Sequence, residues 1–228
     1  MKYLLSIFFT ASILVSGVAQ KQDFTKAADN DPAATKILDK VSKKYEAYKS
    51  IESTFSLEID IPEEPTQVQK GFMKTQGKKY YVDIDEMTLI CDDVNFWMID
   101  KRNKEVQLND APDEEEVEDE GMLSPQDFYD FYKKGEYVYA LTNALTENGK
   151  PVYQIEFKPL DEDSEYSKIR MTIEKKTSVV KRVKVFSKDG SRFTLKINKI
   201  SPNKSYVKAD FVFNKANYKG YHVEDLRM

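Results

Sequence analysis

The segment Phe55-Ser56-Leu57-Glu58-Ile59-Asp60-Ile61 alternates apolar and polar side chains. A period of two places all of its apolar residues on one face of a β-strand. Pro62 and Pro65 follow, and proline ends a strand because it has no N–H to donate to a sheet ladder. The segment therefore predicts a strand with one apolar face, and the same kind of pattern recurs along most of the chain.

Further strands follow at short spacing, many of them joined by turns rich in Asn, Asp, Gly and Lys. The predicted strands are 68–74, 79–85, 87–91, 95–100, 104–108, 137–141, 152–158, 168–174, 179–186, 192–197, 206–209 and 211–213. Consecutive strands without intervening helices favour one large antiparallel sheet. A sheet this wide must curl or close, because long twisted sheets seldom stay flat. The predicted fold class is α+β, mostly β.

Two helices are predicted beside the sheet. Asp31-Pro32 starts the first, with an N-cap acceptor followed by proline at the first helical position. Its apolar residues recur at helical spacing: Ala34, Ile37, Leu38, Val41, Tyr45 and Tyr48. Ser124-Pro125-Gln126-Asp127 starts the second helix in the same way. The apolar stripe of the second helix contains Phe128, Phe131 and Tyr132.

The chain is predicted to contain one domain behind an export signal. Lys2, the apolar run 3–15 and the small residues before Ala19 are typical of a secretory signal peptide over residues 1–19. Residues 20–30 are polar and are expected to form a flexible tail, and 31–228 form a single domain. Within it, residues 113–120 are acidic at seven of eight positions. Like charges repel at that density, so a mobile acidic loop is expected there.

Composition excludes several classes of function. The formal net charge is −4, whereas nucleic-acid binding requires a basic face. His222 is the single histidine, so no histidine-based metal site or nucleophile–histidine pair is expected. Cys91 is the single cysteine, which excludes an internal disulfide, and its place in an apolar strand favours burial. We therefore expect no enzyme, no cofactor and no metal.

The strongest positive feature is a set of apolar residues on the predicted strands. They either pack a closed core or line a cavity beneath the helices, and strand pattern alone favours the closed core. The candidate cavity residues are Phe55, Leu57, Ile59, Phe72, Tyr80, Val82, Leu89, Trp97 and Ile99. The candidate lid residues, on the two helices or directly before the second, are Ile37, Leu38, Val41, Tyr45, Leu123, Phe128 and Phe131.

Several short phrases, in their order along the chain, carry a resemblance to a known family. They are Ile51-Glu52-Ser53-Thr54-Phe55, Lys70-Gly71-Phe72, Cys91-Asp92-Asp93 before Trp97, Leu123-Ser124-Pro125, Tyr166-Ser167-Lys168-Ile169, Asp189-Gly190 and Ala209-Asp210-Phe211-Val212-Phe213. With the export signal, they resemble the periplasmic outer-membrane lipoprotein carriers, the LolA-like lipoprotein chaperones. The resemblance extends from about Asp31 to Arg227.

The resemblance implies a large curled antiparallel sheet that forms an open half-barrel with a helical lid. It implies a monomeric periplasmic carrier of triacylated lipoproteins, which receives them from an inner-membrane ABC exporter and delivers them to an outer-membrane acceptor. One feature departs from the family, whose members often carry a lid-gating arginine on the third strand. Tyr81 stands near that position, so we do not carry the gating role over.

Two alternatives stay open at the level of sequence. The same fold could carry or sense another envelope lipid, since a fold does not determine its ligand. The chain could also be a secreted, strand-rich structural or assembly module whose apolar face is closed core. Uptake of a hydrophobic dye by the folded protein separates a cavity from a closed core.

Overall fold

The computed structural model describes residues 29–111 and 129–227. Its α-helix, α1, spans Pro32–Glu46. The Asp31 side chain accepts a hydrogen bond from the Ala33 N–H at 2.8 Å, which satisfies a backbone donor that a helix start otherwise leaves unpaired. The predicted helix start is therefore confirmed. The helix ends at Glu46.

Twelve strands form one sheet that is curled and open. In chain order they are β1 Ile51–Asp60, β2 Gln67–Gln76, β3 Lys79–Ile84, β4 Met87–Cys91, β5 Asn95–Asp100, β6 Glu105–Asp110, β7 Tyr137–Glu147, β8 Lys150–Pro159, β9 Tyr166–Glu174, β10 Val179–Ser187, β11 Arg192–Pro202 and β12 His222–Asp225. Across the sheet the order is β12-β6-β5-β4-β3-β2-β1-β11-β10-β9-β8-β7. The predicted mostly-β fold is confirmed.

The C-terminal segment differs from its prediction. The expected strands 206–209 and 211–213 are replaced by a 3-10 helix, Lys208–Phe211. The Asp210 carboxylate accepts the Val207 N–H at 2.8 Å, and this local bond favours a turn over an extended strand. The last strand, β12, was not predicted. It pairs with β6 in parallel, so the sheet is not antiparallel throughout.

The second predicted helix begins in residues that lie outside the described part of the chain, as does the acidic run 113–120. After that gap, the chain forms a short 3-10 helix, Phe131–Lys134. Residues 1–28, with the predicted signal peptide, also lie outside the described residues. No helix in 29–111 or 129–227 is long and apolar enough to cross a membrane.

Candidate functional site

Helix α1 defines an inner face of the sheet, and it covers the half formed by β7 to β10. The core beneath it contains Ala34, Leu38, Val41, Tyr45, Ile51, Tyr129, Phe131, Tyr132, Tyr139, Ile155, Phe157, Ile169, Met171, Ile173, Val180 and Val183. Ile37 is half-buried and packs against this core. The described lid candidates are therefore part of a filled core on this half of the sheet. Leu123 and Phe128 lie outside the described residues.

Aromatic and polar contacts hold helix α1 against the sheet and against the segment that begins at Tyr129. The rings of Tyr45 and Tyr129 stack with centroids 3.5 Å apart. The Tyr45 hydroxyl accepts the Val180 N–H at 3.3 Å, and burial raises the pKa of Tyr45. The Tyr132 hydroxyl donates to Asp39 Oδ1 at 3.0 Å. Helix α1 and the segment after the gap are therefore bound to each other as well as to the sheet.

The C-terminal segment covers the outer face of the opposite half of the sheet. Ile90, Trp97, Ile99 and Val106 form a second core there, against Tyr81, Leu108, Val212, Phe213, Tyr218, Tyr221 and Val223. The ring of Trp97 stacks on Phe213 with centroids 6.4 Å apart. Beside this core, Lys74 Nζ pairs with Asp210 at 3.1 Å and lies 5.5 Å from the centre of the Phe211 ring. This half of the sheet is thus covered on the outside.

Three of the nine predicted cavity residues belong to that outer face. Phe72 is paired with Asp83 in the β2–β3 register, and Trp97 is paired with Ile90 in the β4–β5 register. Side chains alternate along a strand, so Phe72, Trp97 and Ile99 point away from the face that carries α1. Their assignment to an inner cavity is wrong, and the physical reason is the one-residue parity of a strand.

The inner face of the same half carries an open apolar surface. Met73, Val82, Leu89 and Met98 are cross-strand neighbours in one row over β2 to β5. All four side chains are half-buried. We use the name open inner surface for seven apolar residues of this face: Leu57, Ile59, Met73, Val82, Ile84, Leu89 and Met98. These residues belong to neither of the two cores.

Phe55 lies at the margin of the open inner surface and is buried. Its partner in the β1–β2 register is Gly71. A Cβ atom placed on Gly71 would lie 2.2 Å from Phe55 Cζ. The ring therefore packs flat against the backbone of β2, and a glycine is required beneath it.

Tyr80 and Cys91 lie at another edge of the open inner surface. They are register partners on β3 and β4, and both are buried. Burial raises the pKa of Tyr80 and the pKa of the Cys91 thiol. A thiol held in its neutral form is a weak nucleophile, so Cys91 contributes packing to this face, and its predicted burial is confirmed.

A cleft opens at each end of the open inner surface. The first, of about 240 Å³, lies beneath the C-terminal turn of α1 and is lined by Tyr45, Ile51 and Thr75 among others. The second, of about 710 Å³, lies at the opposite end and is lined by Gln67, Gln69, Ile84 and Met87 among others. An elongated ligand on the apolar surface would therefore meet a cleft at either end.

Of the predicted cavity residues, six share the inner face: Phe55, Leu57, Ile59, Tyr80, Val82 and Leu89. Sequence reasoning missed Met73, Ile84 and Met98. Met98 follows from the β4–β5 register, in which it is the partner of Leu89, while its neighbour Trp97 faces outward. On β5 the large aromatic residue, Trp97, was predicted to face inward, whereas the alternation of the strand places Met98 on the inner face.

Within 29–111 and 129–227, no group of three or more His, Cys, Asp or Glu residues could hold a metal ion. The side chains of the open inner surface are apolar, so they offer contact with apolar groups. Two members of this surface, Met73 and Met98, are methionines, and Met87 lies next to it as the register partner of Ile84. The flexible side chain of methionine adapts to varied ligand shapes.

A family model and a curated protein are each similar to part of the chain. The model of a family described as "Uncharacterized protein" matches residues 115–218. An uncharacterized protein of Methanocaldococcus jannaschii is 27% identical over 105 residues, which is 46% of this chain and 28% of the other. The chain thus spans under a third of the length of the curated relative that it matches.

Solved structures resemble the fold. An uncharacterized conserved protein of Thermus thermophilus has a TM-score of 0.55 at 10% identity, over 85% of this chain and 99% of the other. A LolA superfamily protein of Nitrosomonas europaea has a TM-score of 0.39 at 12% identity, over 79% of this chain and 97% of the other. The Thermus likeness shows a shared fold, and at this identity it shows nothing about ligands.

Proposed function

We propose that the protein is a periplasmic carrier that holds the acyl chains of lipoproteins on its open inner surface and moves them from the inner to the outer membrane. The observation that carries the proposal is the row Met73, Val82, Leu89 and Met98, which is apolar, half-buried and outside both cores. An apolar patch rimmed by polar residues is typical of a site for an apolar partner. The sequence resemblance to lipoprotein carriers supports the same ligand.

The energetics favour a passive carrier. Burying one methylene group contributes about 0.8 kcal/mol, so a sixteen-carbon chain is worth about 12 kcal/mol against water. Spontaneous loss of such a chain from a membrane into water is therefore slow. An apolar protein surface solvates the acyl chain nearly as well as lipid does. The carrier therefore avoids the free-energy cost of exposing the chain to water, and it does not bind the cargo too tightly to release it. An ATP-driven donor at the inner membrane and an acceptor at the outer membrane fit this scheme.

The test is displacement of a hydrophobic fluorophore by a triacylated lipopeptide, on the wild type and on Leu89→Asp. A buried carboxylate in the middle of the row is costly next to acyl chains, so we expect at least a tenfold loss of affinity. The matched control is Val94→Asp, because Val94 is 67% exposed in the turn before β5.

Unchanged lipopeptide binding in Leu89→Asp would reject the open inner surface as the acyl site. A folded wild-type protein that takes up no fluorophore would instead favour the closed-core structural module. Displacement by phospholipid and not by lipopeptide would favour a carrier of another envelope lipid. Thermal unfolding of both variants checks that lost affinity is not lost folding.

A further inference from the structure

The larger cleft is continuous with the open inner surface. Ile84 and Met87 are register partners on β3 and β4, and both line the cleft of about 710 Å³. On β5, Asp100 is the register partner of Met87. One row of the sheet therefore runs from apolar side chains directly into a polar cleft.

The surface is long enough to hold one acyl chain. Between Thr75, which lines the small cleft, and Gln69, which lines the large one, the β2 backbone covers about 20 Å at about 3.3 Å per residue. One leaflet of a bilayer's hydrocarbon core, the length of a chain, is about 15 Å thick. A chain that lies on the apolar surface with its headgroup in the large cleft therefore extends most of the way to α1.

The lining of this cleft has a definite charge. Asp85, Glu86 and Asp100 contribute three carboxylates, and Arg102 contributes one guanidinium, which is paired with Glu86. Asp85 and Asp100 therefore leave an excess of negative charge. Hydrogen bonds from the Asn103 and Arg102 N–H groups lower the pKa of Asp100. The nearby Lys101 donates to the Asp83 carboxylate and to the Asp85 carbonyl, so its ammonium is already paired.

The cleft also offers uncharged hydrogen-bonding groups. Gln67 is exposed and Gln69 is half-buried. Neither side-chain amide forms a hydrogen bond with another described residue. Each amide can donate to and accept from an ester or a peptide group. These groups suit a neutral polar head, whereas the carboxylates disfavour a phosphate.

We propose that this cleft is a headgroup subsite, which accepts the uncharged glyceryl ester head of an acylated ligand and disfavours an anionic phosphate head. The inference rests on the proposed acyl site and adds selection by charge at its polar end. It separates two ligand classes with the same chains, diacylglyceryl lipids and anionic phospholipids.

The experiment compares dioctanoylglycerol with dioctanoylphosphatidylglycerol as displacers of a bound hydrophobic fluorophore at low ionic strength. The variant is Asp85→Asn with Asp100→Asn, which removes two negative charges at nearly constant shape and leaves the ion pair between Glu86 and Arg102 intact. Asparagine tolerates the positive φ of 41° at position 85. The matched control is Asp161→Asn with Glu162→Gln, an equal charge change on the exposed turn after β8.

We expect the variant to bind the anionic lipid about fivefold tighter than the wild type does, from two unit charges at about 8 Å in water. Its affinity for dioctanoylglycerol should change less than its affinity for the anionic lipid, and the gain should fall in high salt. An unchanged anionic affinity, or an equal gain in the control, would overturn the subsite. If neither lipid nor the fluorophore binds to the wild type, the acyl site itself fails, which is a separate result.

Discussion

At the scale of single residues, the contact between Phe55 and Gly71 restricts both positions. The ring occupies the space that any side chain at position 71 would need. Overpacking of a filled site typically costs 1–3 kcal/mol. We expect Gly71→Ala to lower the free energy of unfolding by about that amount, measured by chemical denaturation.

The partner variant tests the cause of that loss. In a Phe55→Ala background the ring is absent, so the added methyl group of Gly71→Ala should cost well under 1 kcal/mol, and the two changes should be strongly non-additive. If Gly71→Ala costs the same in both backgrounds, backbone conformation rather than the ring explains the glycine.

At the scale of elements, the junction of α1 with the segment after the gap depends on two stacked tyrosines. Burial raises the pKa of Tyr45 and of Tyr129 above the ordinary value for tyrosine. A group whose pKa is raised by folding stabilises the fold below its unfolded pKa, and that contribution is lost as pH rises through the folded pKa. We therefore expect the free energy of unfolding to fall as the pH rises above about 10.

Denaturation curves from pH 8 to pH 12 would measure this loss. Tyr129→Phe removes one of the two ionisable hydroxyls and keeps the ring, so its curve should fall less steeply with pH than that of the wild type. Parallel curves for the two proteins would show that the stacked pair does not cause the alkaline instability.

The same elements show what the sequence could and could not predict. Periodicity was enough for α1 and for eleven of the strands, because each forms a local pattern with clear turns. The segment 206–213 was predicted wrongly as strands, since the bond between Asp210 and Val207 and the contacts of Phe211 with Lys74 depend on the folded sheet. The strand β12 was missed because its pairing with β6 is non-local.

For the candidate site, apolar residues of β1, β3 and β4 were found, whereas those chosen on β2 and β5 lie on the other face. Near Leu89 to Ile99 both faces of the strands are apolar, because one packs under the C-terminal segment and the other stays open. The alternation of apolar and polar residues therefore does not distinguish the inner face from the outer face of these strands. The register of β5 against β4 was needed to decide.

At the scale of the whole molecule, the two cores lie on opposite faces and near opposite ends of the sheet. Trp97 belongs to the outer core and Ile155 to the inner one. Trp97→Ala should cost about 3–5 kcal/mol and Ile155→Ala about 2–5 kcal/mol. Sites without shared partners add within about 0.5 kcal/mol, so we expect the double variant to lose the sum.

Chemical denaturation of the three variants measures this directly. Trp97→Ala should also leave fluorophore affinity unchanged, because its ring faces away from the open inner surface. Weakened fluorophore binding in folded Trp97→Ala would place the acyl site on the outer face, and a strongly non-additive double variant would show that the two cores are coupled through the sheet.

The alternation along β5 has a consequence for how such a protein can diverge. Met98 and Trp97 are neighbours in sequence, yet one borders the proposed cargo and the other stabilises the fold. Substitutions at alternate positions can therefore alter ligand preference in descendants with little penalty in folding. A single-residue insertion would exchange the two sets, so lineages of this architecture should vary by replacement in these strands and accept length changes in their turns.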